Sequence, residues 1–358
     1  MTRPFLPAWI GRTPPWLAGP RSGPGRIALA TRVRLARNLD AEPFPGRATA
    51  AHRRQLQEWL DEAVLACLPA CPRPFGGDIS QCGAVERAIL QERNLISREL
   101  ARHGRGSGVL VGAAERLAVM VNEEDHLRLQ ALLPGLALPA AARLADELDS
   151  ALARRLPFAF DERLGYLTAC PSNVGTGLRA SVMLHLPALR LAGQFPAIAR
   201  AAAAMQMAVR GPHGEGSEPA GSLLQISNQS TLGESEEAIL ARLQAAAERL
   251  VASEEAARER LLREGQVRLL DQVGRAWGIL RQARLIETPE AMDNLSLLLL
   301  GSELGLFTRL GPDTVRPLFF AVQPGQIQFR AGATLDAAAR NRRRADLLRE
   351  RLAAAAAG

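Results

Sequence analysis

The sequence predicts an α+β domain followed by a mostly helical C-terminal domain. Strand-like and helix-like segments alternate irregularly through the first two thirds of the chain, which is typical of α+β folds. From Ser235 onward the chain consists of long segments rich in Ala, Leu, Arg and Glu, which favour helices. We therefore expect a lead-in segment at 1–25, a larger domain at 26–255 and a helical domain at 256–358.

Local patterns predict the elements in order. Pro and Gly are frequent in residues 1–25 and predict a loosely ordered lead-in, whereas the alternation from Ile27 to Leu35 predicts the first strand. Helical patterns lie at 55–68, 83–102, about 140–155 and 196–206; strand-like or extended runs lie at 108–110, 117–122, 164–169 and 222–227; a short apolar segment lies at 181–189.

The C-terminal helices are separated by residues that interrupt helices, near Gly265, Pro289, Gly311 and Pro324. The last helix is expected at 335–357 and is rich in arginine. No internal repeat of fixed period is present, so a solenoid is not expected.

Composition indicates an ordinary globular protein. The 358 residues are 47% hydrophobic and 23% charged, and the longest apolar runs, such as 295–300, are too short to span a bilayer. The N-terminus lacks the apolar segment of a signal peptide, so we expect a cytoplasmic protein without membrane association. Four cysteines are too few for a disulfide scaffold, and Cys67 with Cys71 is only half of a metal site, so free thiols are expected.

The chain contains no lysine, so all 44 basic side chains other than histidine are arginine. The absence of lysine excludes a Walker A loop, the strand lysine of protein kinases and a Schiff-base lysine. This holds even though a codon bias that favours arginine explains the absence. The net charge of +7 predicts affinity for anions. Aromatic residues make up only 4% of the chain, which argues against base stacking and direct nucleic-acid binding, and nucleotide phosphate is the better supported anion.

Arg32 and Arg34 lie two residues apart in the first predicted strand, so both side chains point to one face. Two guanidinium groups on one face repel each other unless an anion lies between them. For this strand considered alone, a solvent-exposed face is the simpler interpretation. The motifs described in the next paragraphs favour an anion-binding site instead.

The segment NEEDHLRLQ, residues 122–130, places three carboxylates, a histidine and Arg128 directly after an apolar run. A charged turn before a helix is the simpler interpretation. The functional alternative makes Glu124 a reactive acid and Arg128 a phosphate ligand.

The segment CPSNVGTGLRASVMLHLPAL, residues 170–189, joins Gly175 and Gly177 to Arg179. Glycines can let backbone N–H groups approach a phosphate, and the arginine supplies charge. No third glycine follows at the spacing of a dinucleotide-binding fingerprint, so the glycines alone are a weak signal.

RGPHGEGSE, residues 210–218, carries Arg210 and Glu215 in a third glycine-rich segment. A flexible surface turn is one interpretation. A lid that closes over a nucleotide and brings in an acid is the other.

Taken in order with ATRVRLARN at 30–38 and QISNQSTLGESEEAIL at 225–240, these segments resemble the signatures of the ATP:guanidino phosphotransferases. That family includes creatine and arginine kinases and bacterial protein arginine kinases. The resemblance runs over roughly residues 26–255, and CPSNVGTG with its cysteine is the most specific part. The resemblance implies an antiparallel sheet flanked by helices and transfer of the γ-phosphate of ATP to a guanidinium. It also implies Mg²⁺ that is held largely by phosphate oxygens and water, so no metal site made by protein side chains is expected.

The resemblance also implies roles for individual residues. Glu124 and Glu215 match the carboxylates that hold and deprotonate the guanidinium, and Cys170 matches the reactive cysteine beside it. Five arginines match those that bind the ATP phosphates. The implied nucleotide-binding positions are Ala30, Thr31, Arg32, Val33, Arg34, Asn94, Arg128, Arg179, Ala180, Ser181, Val182, Met183, Arg210, Gly211, Pro212, His213, Gly214 and Glu215.

Within the family the chain looks closest to the protein arginine kinases. Small-molecule kinases carry a separate helical domain before the first arginine motif, whereas residues 1–29 alone precede that motif here. The helical C-terminal domain expected here is a domain that small-molecule kinases lack. Protein arginine kinases have an R-D-x-x-R-A motif that binds phosphoarginine. Arg340, Asn341, Arg344 and Ala345 match this motif, except that Asn341 replaces the aspartate. The alternative interpretation is a basic helical tail without a binding role. Asn94 stands where the family often has an ATP-contacting histidine.

The expected partners follow from the same resemblance. They are protein substrates with exposed arginine, a Clp-type unfoldase, an activator protein, a transcriptional repressor and a second copy of the chain in a homodimer. Two alternative functions stay open at this point: a kinase for free arginine or another small guanidino compound, and a catalytically silent adaptor.

Overall fold

The computed structural model describes residues 5–18, 23–69, 73–211 and 220–357. The strands in this part are β1 Ala28–Arg37, β2 Phe75–Asp78, β3 Gly108–Gly112, β4 Leu117–Val121, β5 Leu127–Pro134, β6 Phe160–Asp161, β7 Gly165–Tyr166, β8 Leu178–His185, β9 Met207–Arg210 and β10 Leu223–Asn228. The α-helices are α1 Ala50–Cys67, α2 Ala84–Glu92, α3 Leu138–Ala153, α4 Pro187–Leu191, α5 Phe195–Ala204, α6 Glu236–Glu264, α7 Gln266–Gln282, α8 Thr288–Glu303, α9 Pro312–Ala321, α10 Pro324–Ala331 and α11 Ala337–Ala357.

Eight strands form one sheet in the order β2-β3-β4-β5-β1-β8-β10-β9, and β6 and β7 form a separate hairpin. Every neighbouring pair in the large sheet is antiparallel. The α+β class with an antiparallel sheet, flanked by helices and followed by a mostly helical region, is therefore confirmed.

The first face of the sheet is apolar where Val33 and Leu35 of β1 meet aliphatic partners on β5 and β8. Val33 of β1 pairs with Ala131 of β5 and Ala180 of β8, and all three are buried. Helices α1, α3 and α6 cover this face and contribute to the same core. Burial of this face against helices is the main stabilising contribution of the larger domain.

The second face has three surroundings. On β3 and β4 it packs in a core with α2 and the lead-in turn that contains Ile10, and on the central strands it has an apolar end and a polar end. At one end Ala30, Leu132, Met183 and Leu223 pack into a core that contains residues of α7, α8, α9 and α11. The helical domain thus covers that end of the face. The other end carries polar side chains and stays uncovered by this core.

Buried ion pairs also join the helical region to the rest. Glu303 of α8 accepts hydrogen bonds from Arg258 of α6 at 2.9 Å and from Arg316 of α9 at 2.8 Å. Glu254 of α6 accepts from Arg258 at 2.8 Å and from the backbone N–H of Ala188 in α4 at 3.1 Å. Each arginine is compensated by a carboxylate, as buried charges require.

The helix breaks follow local chemistry. Ser235 caps α6 by accepting from the N–H of Ala238, and α6 ends at Gly265. Pro289 lies in the first turn of α8, where its missing N–H is not needed. The breaks predicted near Gly265, Pro289, Gly311 and Pro324 and the long final helix are confirmed.

Several local predictions were wrong. The helix predicted at 83–102 ends at Glu92, because the Arg93 side chain turns inward to pair with Glu115 and Asn94 adopts a φ of 60°. Only Gly165–Tyr166 of the strand predicted at 164–169 is extended and paired. Strand β5 was not predicted at all.

The lead-in is also better packed than predicted. Its described residues include two 3-10 turns, Ala8–Gly11 and Pro15–Leu17, and Ile10 and Trp16 are buried. The carbonyl of Ile10 accepts a hydrogen bond from Arg93 at 2.6 Å, which holds this segment against the domain. The prediction of loose order was therefore wrong for these turns.

Candidate active site

The uncovered end of the second sheet face carries a row of arginines. Arg32 and Arg34 lie on β1, and Arg34 is directly opposite Arg179 of β8. Arg128 of β5 pairs with Ala36 of β1, two positions beyond Arg34. Since side chains two residues apart and directly paired residues share a face, these four guanidinium groups lie on one side of the sheet.

The fifth arginine joins them from the far edge strand. Arg210 of β9 pairs with Gln225 of β10, which in turn pairs with Met183 of β8 and so lies on the same face. Gln225 accepts a hydrogen bond from Arg32 at 3.4 Å. The order of the strands thus brings together five arginines that are scattered along the sequence.

These arginines line a cleft of about 1770 Å³. Glu124, Cys170 and Asn94 line the same cleft, so the structure brings together the described acid, thiol and arginines that the sequence had singled out. Beyond these, its lining includes Arg47, Arg53, Arg98, Arg102, Glu92, Glu99, Glu123, His103, Asn173 and Gln225. A cleft of this size accommodates a nucleotide and part of a second substrate.

Arg32 and Arg34 have a strained electrostatic environment. Burial, followed by the charges of Arg32, Arg128 and Arg179, holds the pKa of Arg34 well below its usual range. Burial, Arg128 and Arg210 lower the pKa of Arg32 to about 10. Among the described residues no carboxylate forms an ion pair with either side chain, and the Nε of Arg34 is buried without a hydrogen-bond acceptor. Such a cluster is favourable only when an anion binds it.

Arg128 is held by two acids at the start of β5. Its Nη1 lies 2.5 Å from Glu123 and its Nη2 lies 2.9 Å from Glu124. Glu123 is buried and also accepts from the hydroxyl of Ser97, whereas the Glu124 side chain is 41% exposed to the cleft. Burial raises the pKa of Glu124 and the charge of Arg128 opposes that rise. Glu124 is therefore the accessible carboxylate of the pair.

The rest of the acidic turn has a structural role. Asp125 accepts from Asn38 and from the backbone N–H of Ala169, each at 2.7 Å. His126 Nδ1 accepts from the N–H of Leu39 at 3.1 Å, and burial lowers its pKa. His126 is consequently neutral, and together with Asp125 it fixes the end of β1 and the approach to Cys170.

Cys170 precedes a short 3-10 turn, Pro171–Asn173, at the edge of the cleft. Its Sγ lies 3.0 Å from the hydroxyl of Ser172. The two glycines that follow have a different role from the one expected. An added Cβ at Gly177 would lie 2.6 Å from the Arg37 guanidinium, and one at Gly175 would lie 2.7 Å from the carbonyl of Thr231. Close packing within the protein, not a phosphate, accounts for these glycines.

Arg179 is oriented by neutral acceptors. Its Nε donates to Asn173 at 3.1 Å, its Nη1 to the carbonyl of Asn228 at 2.7 Å and its Nη2 to Ser172 at 3.2 Å. Asn228 is itself fixed, because its amide oxygen accepts from the N–H of Ala180. These neutral acceptors fix the orientation of the guanidinium on this face of the sheet.

The sequence had not singled out four residues that contact or position the arginines, Glu123, Asn173, Gln225 and Asn228. It had also not singled out Asn38, which holds Asp125 of the acidic turn. Each lies within a motif that had been recognised, but a single sequence does not distinguish supporting polar residues from reactive ones. For Glu123 the only local signal was its position next to Glu124.

Several implied nucleotide-binding positions do not reach the cleft. Val33, Ala180 and Val182 point to the opposite face and are buried in the helix-covered core. Thr31 donates its hydroxyl to the carbonyl of Gly135. The family motif spans these residues, but the alternation of a strand turns every second side chain away.

Three other implied positions, Ala30, Ser181 and Met183, are next to the cleft in the sheet but do not line it. Ala30 and Met183 lie in the core that contains the helical region. Ser181 is buried on the arginine face, opposite Arg32 and Ser227. Gly211 follows β9 and is buried, and Pro212, His213, Gly214 and Glu215 lie outside the described residues.

The arginine motif of the last helix lies away from this cleft lining. Arg344 is buried and donates to the carbonyls of Val322 at 2.7 Å and Ile286 at 2.8 Å and to Asn341 Oδ1 at 2.8 Å. Burial lowers its pKa to about 10. Ala345 is buried in the helical core, and Arg340 donates to the carbonyl of Leu335 at 2.6 Å. Both guanidinium groups therefore already bind protein carbonyls.

Within the described residues no group of three or more His, Cys, Asp and Glu side chains is arranged to hold a metal ion. No helix in the described part is long and apolar enough to cross a membrane. Cys67, Cys82 and Cys170 are free thiols, as expected, and Cys71 lies outside the described residues.

Two family models match the chain. The model of the ATP:guanido phosphotransferase C-terminal catalytic domain matches residues 78–257, and that of the protein-arginine kinase McsB C-terminal domain matches residues 266–358.

Relatives named protein-arginine kinase match nearly the whole chain. The Symbiobacterium thermophilum protein is 43% identical over 95% of this chain and 96% of its own length. The Moorella thermoacetica protein is 44% identical over 96% of this chain and 99% of its own length. The Geobacillus stearothermophilus protein is 42% identical over 96% of this chain and 93% of its own length.

Solved structures share the fold. A duplicated taurocyamine kinase from Schistosoma mansoni with bound transition-state analogue components matches with a TM-score of 0.59 and 25% identity over 72% of this chain and 38% of that one. A lombricine kinase matches with a TM-score of 0.56 and 24% identity over 68% and 72% of the two chains, which shows the fold alone.

Proposed function

Because the chain belongs to the ATP:guanido phosphotransferase family, and within it to the protein-arginine kinases, we propose that its cleft transfers the γ-phosphate of ATP to arginine side chains of proteins. The observation that carries this proposal is the row of arginines on one sheet face, in which Arg32 and Arg34 have no carboxylate partner among the described residues. ATP supplies the missing negative charge.

The five arginines suit phosphoryl transfer. That reaction requires the attacking and leaving atoms to be in line and the negative charge on the phosphoryl oxygens to be neutralised. Arg34 and Arg179 lie side by side on adjacent strands, and Arg128 lies on the strand at the other side of β1. A rigid sheet holds these charges in place before the substrate binds, so little reorganisation is needed during the reaction.

The acceptor guanidinium binds on the Glu124 and Cys170 side of the cleft in this proposal. A guanidinium is a poor nucleophile because its pKa lies above about 12. Glu124 accepts its N–H groups and orients it, and Glu215, in the segment after Arg210, supplies the second carboxylate. As the N–P bond forms and the bond from Pγ to the ADP oxygen breaks, the guanidinium proton passes to a carboxylate.

Mg²⁺ accompanies ATP and neutralises part of the triphosphate charge. The donor groups present fit an ion that protein side chains do not hold directly, because Glu123 and Glu124 both bind Arg128. Phosphate oxygens and water provide the oxygen ligands that Mg²⁺ prefers.

We assign wider relationships by family resemblance only. We propose a cytoplasmic enzyme that forms a homodimer, modifies exposed arginines for a Clp-type unfoldase or on a stress repressor, and responds to an activator protein. Phosphoarginine feedback through Arg340 and Arg344 would have to replace the carbonyl contacts that these side chains now make. Asn341 offers an amide oxygen where the family motif has a carboxylate, which weakens that feedback.

The test is incubation with Mg²⁺ and ATP and either casein or free arginine, followed by mass spectrometry for acid-labile phosphate on arginine. We expect phosphoarginine on casein, its loss in Glu124→Gln and Glu215→Gln, and its retention in Arg275→Gln, which changes an exposed arginine on α7. Phosphorylation of free arginine without phosphorylation of casein would show that the acceptor is a small guanidino compound and not a protein. No transfer to either would make the chain a silent adaptor.

A further inference from the structure

Three large apolar side chains are exposed near one end of the cleft. Phe160 is 59% exposed, Leu164 is 47% exposed and Leu232 is 53% exposed. Phe160 begins β6, Leu164 directly precedes β7, and Leu232 lies between β10 and α6. Single exposed apolar residues are ordinary on protein surfaces, so only their proximity to each other and to the site gives them meaning.

The three side chains belong to segments in direct contact. A Cβ added to Gly165 would lie 2.5 Å from the carbonyl oxygen of Gly175, and one added to Gly175 would lie 3.0 Å from Cα of Leu232. Gly175 therefore lies between the hairpin that carries Phe160 and Leu164 and the loop that carries Leu232. We call these three side chains the apolar strip.

The hairpin is fixed rather than loosely attached. The Arg37 guanidinium lies 3.4 Å from the centre of the Tyr166 ring, and Arg37 pairs with buried Asp149 at 2.7 Å. The Phe160 ring packs edge-on against Tyr166 at 5.2 Å. Phe160 is consequently anchored on one side and open to solvent on the other.

A short segment links the hairpin to the cleft. Leu167 donates its N–H to the carbonyl of Ala159 at 3.0 Å, and the hydroxyl of Thr168 donates to the carbonyl of Cys170 at 2.8 Å. Ala169 and Cys170 then line the cleft. Three residues separate the hairpin from the thiol that stands on the acceptor side of the site.

We propose that the apolar strip binds an extended segment of the protein substrate that carries apolar side chains beside the arginine to be phosphorylated. This inference rests on the proposed function, since it concerns the acceptor of that reaction. An acceptor arginine that reaches Cys170 and Glu124 brings its neighbouring residues out of the cleft at this rim. Apolar neighbours then bury Phe160, Leu164 and Leu232, which favours such segments over polar ones.

A second copy of the chain is a poorer occupant. A stable interface buries roughly 800 Å² on each partner. Three partly exposed side chains provide only a fraction of that area, which suits a peptide segment that is also held by its arginine in the cleft.

The test uses two synthetic peptides of equal charge with one central arginine, flanked either by Leu and Phe or by Ser. We expect the wild-type protein to phosphorylate the apolar peptide with about tenfold higher kcat/KM, mainly through KM, as burial of a few apolar side chains implies. The triple variant that combines Phe160→Ser, Leu164→Ser and Leu232→Ser should reduce the ratio of kcat/KM for the apolar peptide to kcat/KM for the Ser peptide to about one. It should leave kcat for the Ser peptide unchanged.

Two further variants make the result specific. Leu164→Ser with Leu232→Ser leaves the contact between Phe160 and Tyr166 intact and should still lower the ratio. Val267→Ser with Leu285→Ser removes side chains that are 83% and 60% exposed elsewhere and should not change it.

An unchanged ratio in the strip variants, or an equal loss for both peptides, would overturn the inference. A change from dimer to monomer in light scattering with the ratio unchanged would assign the strip to a second copy instead. No transfer by the wild-type protein to either peptide would contradict the proposed function itself.

Discussion

Two groups of arginines in this molecule have opposite surroundings. Between α6, α8 and α9, Arg258 and Arg316 share Glu303, and Arg258 also binds Glu254. On the open end of the sheet, Arg32 and Arg34 face other arginines and form no ion pair with a carboxylate in the described part of the chain. Among the charges that act on Arg34, that of Glu123 has the smallest effect and opposes the others.

The difference separates a structural use of arginine from a functional one. A compensated buried charge fixes one arrangement of helices, and removing its partner destabilises the fold. An uncompensated cluster is unfavourable by itself and remains in a fold that is stable for other reasons. In a chain without lysine, both uses fall to the same residue type, and only the surroundings distinguish them.

The largest expected effect is on the open cluster. Arg34→Met should lower kcat/KM for protein-arginine phosphorylation by about 10⁴-fold, because a charge that neutralises the transferring phosphoryl group is lost. The free energy of unfolding should stay the same or rise, since repulsion from Arg32 and Arg179 disappears. Kinetic assay and urea denaturation of the same preparation measure both.

Arg275→Gln is the matched control, because Arg275 is exposed and pairs with Asp271 at 2.9 Å on its own helix. It should leave both quantities within error. A clear loss of stability in Arg34→Met would contradict the distinction between the two regions.

The compensated region should respond in the opposite way. Glu303→Gln should lower the free energy of unfolding by about 3 kcal/mol, because two buried guanidinium groups lose their shared carboxylate. The fraction that stays folded should keep its KM for ATP. Asp271→Asn, in an exposed pair, should change stability by less than about 1 kcal/mol. Unchanged stability in Glu303→Gln would show that this pairing does not hold the helices together.

Glu92 lines the cleft and contacts the start of α10, and its ionisation makes the stability of the protein depend on pH. Its carboxylate accepts from the N–H groups of Gly325 at 2.6 Å and Gln326 at 3.1 Å, at the start of α10, and burial raises its pKa to about 7. The folded state therefore holds the Glu92 proton more tightly than the unfolded state does. The corresponding stability is present below about pH 4.5 and is lost as the pH rises through about 7.

Between pH 5 and pH 8 the wild-type protein should lose about 2 kcal/mol of unfolding free energy relative to Glu92→Gln, which does not titrate. Denaturation curves at matched ionic strength measure this difference. A difference that is constant with pH, or that grows in favour of the wild type, would show that the ionised carboxylate is fully stabilised by the two backbone donors.

The smallest expected effect concerns the edge of the cleft. Asn94 has a φ of 60°, which histidine also tolerates, and its backbone carbonyl accepts from Gln130 at 2.7 Å. Asn94→His should lower KM for ATP about threefold without changing kcat, because an imidazole extends further into the cleft than the amide does. Asn94→Gln controls for size, and an unchanged or higher KM in Asn94→His would remove Asn94 from the nucleotide site.

The sequence predicted the parts of this fold that local patterns determine. Strand β1 alternates regularly, and helices such as α3 and α6 have clear apolar faces, so their positions were predicted to within a few residues. The α+β class and the helical C-terminal region followed from these elements.

Features that depend on distant residues were not predictable in this way. The chain leaves the helix at Arg93 because that side chain pairs with Glu115, which lies 22 residues further along. Strand β5 was missed because the charged segment before it resembles the start of a helix.

The candidate site shows the same limit. Motifs identified Arg32, Arg34, Arg128, Arg179 and Arg210, but their meeting on one face depends on the strand order β5-β1-β8-β10-β9. No local pattern encodes that order. The supporting residues Glu123 and Gln225 became visible only through their contacts with Arg128 and Arg32.

The most direct test of the whole account is a crystal structure of the protein with ADP, Mg²⁺ and a peptide that carries the acceptor arginine. We expect phosphate oxygens within hydrogen-bond distance of Arg32, Arg34 and Arg179, with the acceptor guanidinium beside Glu124. A nucleotide bound elsewhere, with the cluster of arginines holding no phosphate, would contradict it.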